Sequence, residues 1–441
     1  MKEHSLRAQF PFFQHGNNQQ TIYFDSAATT QKPQCVIDTI IDFYTYKNTN
    51  VHRASHSLAQ RTTNEFEQAR TYVKDFIGAT HSAEIIFTKG ATESINLVAK
   101  ALADTDIPNG KRILISATEH HANLVPWQQL ARQKQLEIDV IPVDSAGNWL
   151  IEEGLSLLTE ATCIVALGMV SNALGTINPI KIFLDKANSV NALTLVDAAQ
   201  GIAHLAIDVQ RLNCDFLVFS GHKAYASTGI GVLYGKKAKL EVLPVFLTGG
   251  EMIQKVDYQT ASFQAAPFKF EAGTPNVEGV LTLKQALEFI NTHRKQIDHH
   301  ERQLTSYLLA KLALVKGIVV YGQGERISTV SFSVNGYNSH DLGTLLNEQG
   351  VAMRVGHHCA MPLMKTLGVA GTLRISLACY NEKYEIDKAM VALQVAINKI
   401  APDNSPIEHD EKVNQQNTEN MPLAEAVQSA KGWDSVYRQI M

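Results

Sequence analysis

Cysteine is scarce in this chain of 441 residues, and none of its five cysteines has the C-x-x-C spacing. Such an odd and sparse set argues against a disulfide framework and against a zinc ribbon. Cys163 and Cys214 lie in or beside apolar runs, which predicts core positions for both. Cys359 differs, because it follows two histidines in a polar loop bounded by Gly356 and Pro362. A thiol in such a loop is able to react.

The sequence also lacks long apolar runs and clusters of positive charge. No run is long enough to cross a bilayer, and residues 1–13 contain no apolar core of a signal peptide. Lysine and arginine are dispersed and the net charge is −4, so nothing predicts a surface that follows a nucleic-acid backbone. We therefore expect a cytoplasmic protein that binds neither membranes nor nucleic acid.

Short apolar runs that alternate with helix-length segments are abundant. This alternation predicts an α/β fold with a mostly parallel sheet, and 441 residues allow two domains. Each apolar run ends in small or polar residues, and the carboxyl ends of parallel strands line one crevice. The residues predicted to converge there are Thr92, His120, Asn172, Asp197, Ser220, His222 and Lys223.

The stretch from Asp215 to Lys223 is the centre of this pattern. An apolar run of strand length ends in Ser-Gly-His-Lys, which places a hydroxyl, an imidazole and an amine at the mouth of a buried strand. A lysine there is costly unless its ammonium is solvated, paired or neutralised, for example as a Schiff base with an aldehyde cofactor. This stretch alone leaves open the alternative of a lysine whose amine simply reaches solvent.

Together these groups fit pyridoxal phosphate better than a metal ion. This cofactor needs an amine for its aldehyde, an acid for its ring nitrogen and donors for its phosphate. The residues that would supply them are Lys223, Asp197, Thr92, Ser220 and His222. His120 would stack on the ring, whereas adjacent histidines such as His120 and His121 point to different sides and are poorly placed to share a metal. A helix N-cap is the alternative role for Asp197.

The remainder of the chain predicts a second, smaller domain. A long helix from Val277 to Val315 is followed by strands near 318–321, 329–334, 351–355 and 373–377. The loops that face the large domain carry Cys359 and Arg374, whose planar fork suits an α-carboxylate or a structural ion pair. The predicted division is an N-terminal segment (1–20), a large cofactor-binding domain (21–290), a small C-terminal α/β domain (291–400), a polar linker (401–422) and an amphipathic helical tail (423–441).

Seven motifs are spread over roughly residues 21–400. They are Asp25-Ser26-Ala27-Ala28, Asn50-Val51-His52-Arg53, Thr92-Glu93-Ser94-Ile95-Asn96, the stretch from Glu119 to Trp127, Ser220-Gly221-His222-Lys223, the stretch from Phe270 to Asn276, and the stretch from Arg354 to Pro362. This combination resembles cysteine desulfurases of the SufS/CsdA type. Those are class V aminotransferase-like enzymes of fold type I that use pyridoxal phosphate, with a large mostly parallel sheet domain and a smaller C-terminal α/β domain.

The resemblance implies a role for each matching residue. Lys223 would hold the cofactor aldehyde, and Cys359 would be the nucleophile. The other cofactor contacts would come from Ala91, Thr92, His120, Asn172, Asp197, Gln200, Ser220, His222 and Thr274, the last reaching the site of the partner subunit in a homodimer. The substrate contacts would come from Ala28, His52, Arg53, Asn172, Arg354 and Arg374, with His52, Arg53 and Arg354 around the entrance.

The implied reaction converts L-cysteine to L-alanine. Lys223 would take the Cα proton, and Cys359 would attack the substrate sulfur and become a persulfide. The persulfide sulfur would pass to a SufE/CsdE-type acceptor for iron–sulfur clusters or another pathway. Selenocysteine lyase is the alternative enzyme, because the same lysine and cysteine serve both substrates.

Two non-enzymatic alternatives are an inactive binding partner on the same fold and a zinc protein that uses His357, His358 and Cys359. Three contiguous ligands have poor geometry for one metal ion. The complete set of site residues therefore favours an enzyme.

The chain departs from the family pattern in two places. Relatives typically have a Gly-Pro pair shortly after the lysine, whereas this chain has Ala226-Ser227. This change predicts a looser loop, with added strain if Ala226 has a positive φ. The segment from Gly432 to Met441 resembles the first helix of SufE/CsdE-type acceptors. Our hypothesis is that the chain derives from a fusion of desulfurase and acceptor that ends early.

Overall fold

The computed structural model describes residues 6–53 and 55–400. Within these ranges the chain forms fifteen strands and twelve α-helices. The strands are β1 (Ile22–Tyr23), β2 (Ile85–Thr88), β3 (Arg112–Ser116), β4 (Glu137–Ile141), β5 (Thr162–Gly168), β6 (Leu193–Asp197), β7 (Phe216–Ser220), β8 (Gly231–Gly235), β9 (Ile253–Val256), β10 (Ala261–Phe263), β11 (Ile318–Tyr321), β12 (Thr329–Val334), β13 (Val351–Ala352), β14 (Arg354–Gly356) and β15 (Thr372–Ser376).

The helices surround these strands. They are α1 (Gln34–Asp42), α2 (Ser57–Phe76), α3 (Ala91–Ala103), α4 (Val125–Lys134), α5 (Ile151–Ser156), α6 (Ile180–Ser189), α7 (Val209–Leu212), α8 (Lys237–Val242), α9 (Val277–Leu312), α10 (Ser339–Glu348), α11 (Met361–Thr366) and α12 (Lys383–Lys399). Among the described residues no helix combines the length and the apolar character that a membrane span requires. The predicted linker (401–422) and helical tail (423–441) lie outside the described residues.

A seven-stranded sheet is the largest sheet among the described residues, with strand order β2-β8-β7-β6-β5-β3-β4. All pairings are parallel except those of β8, which runs antiparallel to β2 and β7. Every residue of β7 is buried. Phe216 and Val218 pack in one apolar cluster with α3 and α4, whereas Leu217 and Phe219 pack in the other with α2, α6 and α9. This two-sided burial explains why β7 is a continuous apolar run.

Residues 318–376 contribute a four-stranded antiparallel sheet with the order β11-β12-β15-β14, called the small sheet below. The predicted strand at 351–355 is instead two strands, because Val351 pairs with Ile22 of β1 whereas Arg354 pairs with Arg374 of β15. The predicted boundary between residues 290 and 291 lies inside the continuous helix α9. Ile22 and Phe24 also pack in the apolar cluster of the small sheet.

A buried ion pair connects helix α2 to the loop before α9. Arg70 is 1% exposed, and its guanidinium donates to both carboxylate oxygens of Glu271 at 2.6 and 2.9 Å. Glu271 also accepts the backbone N–H of Phe87 in β2 at 2.7 Å. A helix, a strand and a loop therefore meet at one largely buried ion pair.

Replacing Arg70 with Met leaves the carboxylate of Glu271 buried without its cation. Removing one partner of a buried pair costs about 3–5 kcal/mol, so we expect the free energy of unfolding in urea to fall by about 3 kcal/mol. Arg302→Met is the control, because Arg302 is exposed and pairs with Asp298 on the same helix. The control should change by less than about 0.5 kcal/mol. Equal stability of the two variants would contradict this expectation.

Candidate active site

A cavity opens at the carboxyl ends of the parallel strands, and most of the predicted site residues line it. Polar groups follow β3, β5, β6 and β7, because each of these strands ends at the same edge of the sheet. The predicted residues that line the cavity are Ala28, Ala91, Thr92, His120, Asn172, Asp197, Gln200, Ser220, His222, Lys223, Arg354, Cys359 and Arg374.

Three predicted residues do not line this cavity within the single described chain. His52, in the left-handed conformation with φ 68°, pairs with Glu67 at 2.9 Å, and Arg53 pairs with Glu251 at 2.6 Å. Thr274 is exposed to solvent. Their roles at the entrance and in a partner subunit stay predictions.

The amine of Lys223 faces the cavity from a short 3-10 turn directly after β7. Burial is the largest influence and lowers its pKa, and the positive charges of Arg374 and Arg354 act in the same direction. Asp197 opposes them from the end of β6, where burial raises its own pKa. Its Oδ1 accepts the backbone N–H of Ala199 at 2.9 Å. The next residues form turns, so Asp197 does not cap a helix.

His120 is a neutral imidazole at the cavity wall. Burial, followed by the charge of Lys223, lowers its pKa to about 3. Its Nδ1 accepts the backbone N–H of Ala122 at 3.0 Å, which also requires an unprotonated nitrogen. The ring therefore presents an uncharged flat surface at neutral pH.

Arg374 carries a guanidinium that is held on two sides and unpaired on a third. It is 1% exposed, and its Nη atoms donate to the carbonyl of Asn172 at 2.8 Å and to Asp25 at 3.0 Å. Within the described chain, Arg374 Nε and Asn172 Oδ1 are buried and have no hydrogen-bond partner. A buried unsatisfied polar atom costs about 1–3 kcal/mol, so this corner of the cavity is suited to a polar ligand.

Cys359 lies in a loop with a constrained backbone. Both His358 and Cys359 have left-handed φ angles, 51° and 56°, which are uncommon for residues other than glycine. The carbonyl of Cys359 accepts the N–H of His121 at 2.8 Å, and its own N–H donates to His357 Nδ1 at 3.0 Å. The thiol lies 3.6 Å from a guanidinium nitrogen of Arg354. The loop therefore holds this sulfur at the cavity beside a positive charge.

The histidines of this loop are engaged elsewhere. His358 Nε2 lies 2.8 Å from Thr372 Oγ1, and His357 Nδ1 accepts the Cys359 N–H. Among the described residues, no three His, Cys, Asp or Glu side chains are arranged to hold a metal ion.

The N-terminus of α3 forms one wall of the cavity, which Ala91 and Thr92 line. Gly90 precedes this helix without a capping side chain, which leaves free N–H groups in its first turn. The N–H of Ala91 donates to Ser220 Oγ at 2.9 Å. Burial lowers the pKa of His222 to about 4, so a neutral imidazole accompanies these donors. This set of donors suits a phosphate group.

The sequence pattern of the Aminotransferase class-V family matches residues 22–389. The chain belongs to this family. A Vibrio cholerae protein named "Probable cysteine desulfurase" is 44% identical over 396 residues, which are 89% of this chain and 98% of that protein.

Two solved structures of cysteine desulfurases have the same fold as this chain. The Escherichia coli cysteine desulfurase CsdA, in an S-sulfonic acid form, has a TM-score of 0.83 and 39% identity. The apo cysteine desulfurase of Thermococcus onnurineus NA1 has a TM-score of 0.85 and 34% identity. Each match covers 90% of this chain and 98% of the other. The predicted family and fold class are therefore confirmed.

The cavity of this class V enzyme fits pyridoxal phosphate. Lys223 offers an amine and Asp197 a carboxyl in the same cavity, and the N-terminus of α3 offers phosphate donors. The unpaired buried atoms of Asn172 and Arg374 still require polar partners. These observations match the needs of the cofactor group by group.

The loop after Lys223 differs from the expectation in one respect. The positive φ, 66°, belongs to Tyr225, and Ala226 does not have one, so the condition for strain at Ala226 is not met. Tyr225 adopts this conformation because its N–H donates to Thr30 Oγ1 at 3.0 Å while its ring packs beside Phe10 and Phe289.

Glu119 is a cavity residue to which the sequence analysis assigned no role. Its buried carboxylate accepts from Ser116 Oγ at 2.6 Å, Asn123 Nδ2 at 2.7 Å and the Gly168 N–H at 3.0 Å. It thereby ties β3, β5 and the turn that carries His120. The position of Glu119 between the end of β3 and His120 indicates a cavity residue, but the sequence analysis gave a role at this strand end to His120 alone.

Glu119 should make stability depend on pH. Burial raises the pKa of its carboxyl from 4.5 to about 7, so the folded state holds a proton that the unfolded chain has already lost. Stability from this group is present below about pH 4.5 and is lost as pH rises through about 7. Relative to Glu119→Gln, the wild-type chain should lose roughly 3 kcal/mol between about pH 5 and about pH 8.

Urea unfolding of both proteins at the two pH values measures this difference. All other titrating groups are common to both proteins, so their contributions cancel. A difference that stays constant across the range would show that Glu119 keeps one charge state.

Proposed function

We propose that this protein is a pyridoxal-phosphate-dependent cysteine desulfurase in which Cys359 receives the sulfur of L-cysteine. The enzyme class and the cofactor, predicted from the resemblance, are confirmed by relatives that match nearly the whole chain. The observation that carries the residue assignment is the presence of Lys223 and Cys359 in one cavity, with Arg354 3.6 Å from the thiol.

Lys223 is the group that moves the proton. Bound pyridoxal phosphate supplies an electron sink for negative charge at the substrate Cα. A lysine whose pKa is lowered by burial has more of the neutral amine that can accept the Cα proton. Asp197 would hold the ring nitrogen, His120 the ring face, and Gln200, whose amide donates to the carbonyl of Ala27 at 2.8 Å, the ring hydroxyl.

Arg374 is the group that orients the substrate. Two of its nitrogens are held by Asn172 and Asp25, which fixes the plane of the guanidinium. A fixed plane presents the remaining N–H groups to a carboxylate in one direction. A carboxylate held in one direction also fixes the direction in which the substrate Cβ and sulfur point.

Cys359 then takes the sulfur. The thiolate forms a new S–S bond with the substrate sulfur while the C–S bond breaks and its electron pair remains on the carbon skeleton. Protonation of that carbon releases alanine, and Cys359 keeps the persulfide. The positive charge of Arg354, 3.6 Å from the sulfur, favours the thiolate form of Cys359.

The persulfide would pass to a SufE/CsdE-type acceptor protein, and the enzyme would work as a homodimer in the cytoplasm. Solvent exposure of Thr274 leaves it available to a second subunit. The same site would act as a selenocysteine lyase if selenium could be released from selenocysteine without the Cys359 thiol.

Brief exposure of the protein to L-cysteine, then alkylation and peptide mass spectrometry, should find one added sulfur on the Cys359 peptide. Lys223→Ala should abolish the adduct, and Cys359→Ala should lower alanine formation roughly a hundredfold or more. Cys163→Ala is the matched control and should form the adduct normally. A Cys359→Ala enzyme that keeps full activity on selenocysteine and a wild type without the adduct would establish the lyase instead.

A complementation experiment tests the shared site of the homodimer. Thr274→Ala chains co-expressed with Lys223→Ala chains form heterodimers with one site that has both native residues. We expect such heterodimers to recover about half of the wild-type rate, because one of the two sites is complete. Heterodimers as inactive as Lys223→Ala homodimers would place Thr274 outside the partner's site.

A further inference from the structure

One carbonyl beside the catalytic lysine collects an unusual number of hydrogen-bond donors. It belongs to His222, so it is part of the peptide bond that joins His222 to Lys223. The donors all come from one segment, Thr29 to Lys32, and they are Thr30 N at 3.1 Å, Thr29 Oγ1 at 3.2 Å, Thr30 Oγ1 at 3.1 Å and Lys32 Nζ at 3.0 Å. A carbonyl oxygen has only two lone pairs, so four converging donors leave this peptide group little freedom.

The same segment also holds the chain on the other side of Lys223. Thr30 Oγ1 accepts the N–H of Tyr225 at 3.0 Å. Thr30 is 4% exposed, so water does not compete for either bond. The backbone of Lys223 therefore lies between two fixed peptide groups, although the family's Gly-Pro pair is absent from this loop.

Lys32 is not an ordinary surface lysine. Its Nζ donates to the carbonyl of Thr30 at 2.6 Å and to the carbonyl of His222. A longer hydrogen bond of 3.4 Å joins the same nitrogen to Thr30 Oγ1. Among the described residues it forms no ion pair, and burial lowers its pKa to about 7. The contacts of this amine are therefore hydrogen bonds within the segment and to the carbonyl of His222.

We propose that Thr30 and Lys32 are positioning residues for Lys223, which hold the peptide groups around it and so fix the direction in which its amine enters the cavity. This rests on the proposed function, in which Lys223 moves the Cα proton. Proton transfer requires the amine at hydrogen-bond distance from that proton, and a displacement of about 1 Å can lower a rate by about a hundredfold.

The test uses the holoenzyme of three variants. Thr30→Val keeps the shape of the side chain and removes the hydroxyl with its bonds to His222, Tyr225 and Lys32. Thr30→Ser keeps these bonds, and Lys32→Met removes the amine. We expect kcat to fall roughly tenfold in Thr30→Val and Lys32→Met and to stay within about twofold of wild type in Thr30→Ser. Lys316→Met, an exposed lysine, is the control and should leave the rate unchanged.

Two readouts separate positioning from a loss of folded protein. The kinetic isotope effect with Cα-deuterated L-cysteine should rise in Thr30→Val and Lys32→Met, because proton transfer becomes slower. The visible circular dichroism band of the bound cofactor should change in the same two variants and not in Thr30→Ser. A merely structural role would lower the amount of holoenzyme while leaving both readouts at their wild-type values, and that result would overturn the proposal.

The proposed function can fail separately. If the wild-type chain forms no alanine from L-cysteine, the desulfurase assignment is wrong, but the circular dichroism band still tests the positioning of Lys223. A changed band in Lys32→Met with an unchanged band in Lys316→Met supports the proposal even if Thr30→Val fails to fold. Wild-type bands in both Thr30→Val and Lys32→Met overturn it.

Discussion

The structure depends on holding several charged groups around one cavity at the end of a fully buried strand. Arg354 and Arg374 bring positive charge, and burial pushes both the Lys223 amine and the Asp197 carboxyl towards their neutral forms. Such groups are unfavourable in a medium of low polarity unless they compensate one another or a ligand. The lowered pKa of Lys223 and the unpaired atoms of Arg374 and Asn172 are two consequences of this arrangement. Both favour an anionic cofactor and a carboxylate substrate.

The cavity is built by segments that are far apart in the chain. Asp25 and the Thr29–Lys32 segment come from near the N-terminus, whereas Arg374 comes from the small sheet and Cys359 from the loop after β14. The pairing of β1 with β13 brings these two regions together. The N-terminal region therefore helps to build the cavity: it pairs with Arg374 at one wall and with the backbone around Lys223 at another.

Much of the fold and most of the site could be predicted because the signals are local. The apolar run of β7 followed by Ser-Gly-His-Lys marks a buried strand with reactive groups at its end, and the structure has this feature. The part that could not be predicted depends on contacts between distant residues. The contact of Glu119 with the Gly168 N–H and the burial of its carboxyl arise only when β3 packs beside β5. The positive φ in the loop after Lys223 lies at Tyr225 because Thr30 and two aromatic rings select that conformation.

By itself, the sequence determined the α/β class, the family and the residue types available for catalysis, because periodicity and short motifs are properties of neighbouring residues. Only the tertiary structure decided which of these side chains share one cavity, which charges burial shifts and what holds Lys223 in place. His52 and Lys32 illustrate the difference. His52 lies in a family motif yet pairs with Glu67 away from the cavity, whereas Lys32 lies outside the seven motifs and contacts the peptide bond that joins His222 to Lys223. Distances and burial arise from packing, and packing is not written in any one stretch of chain.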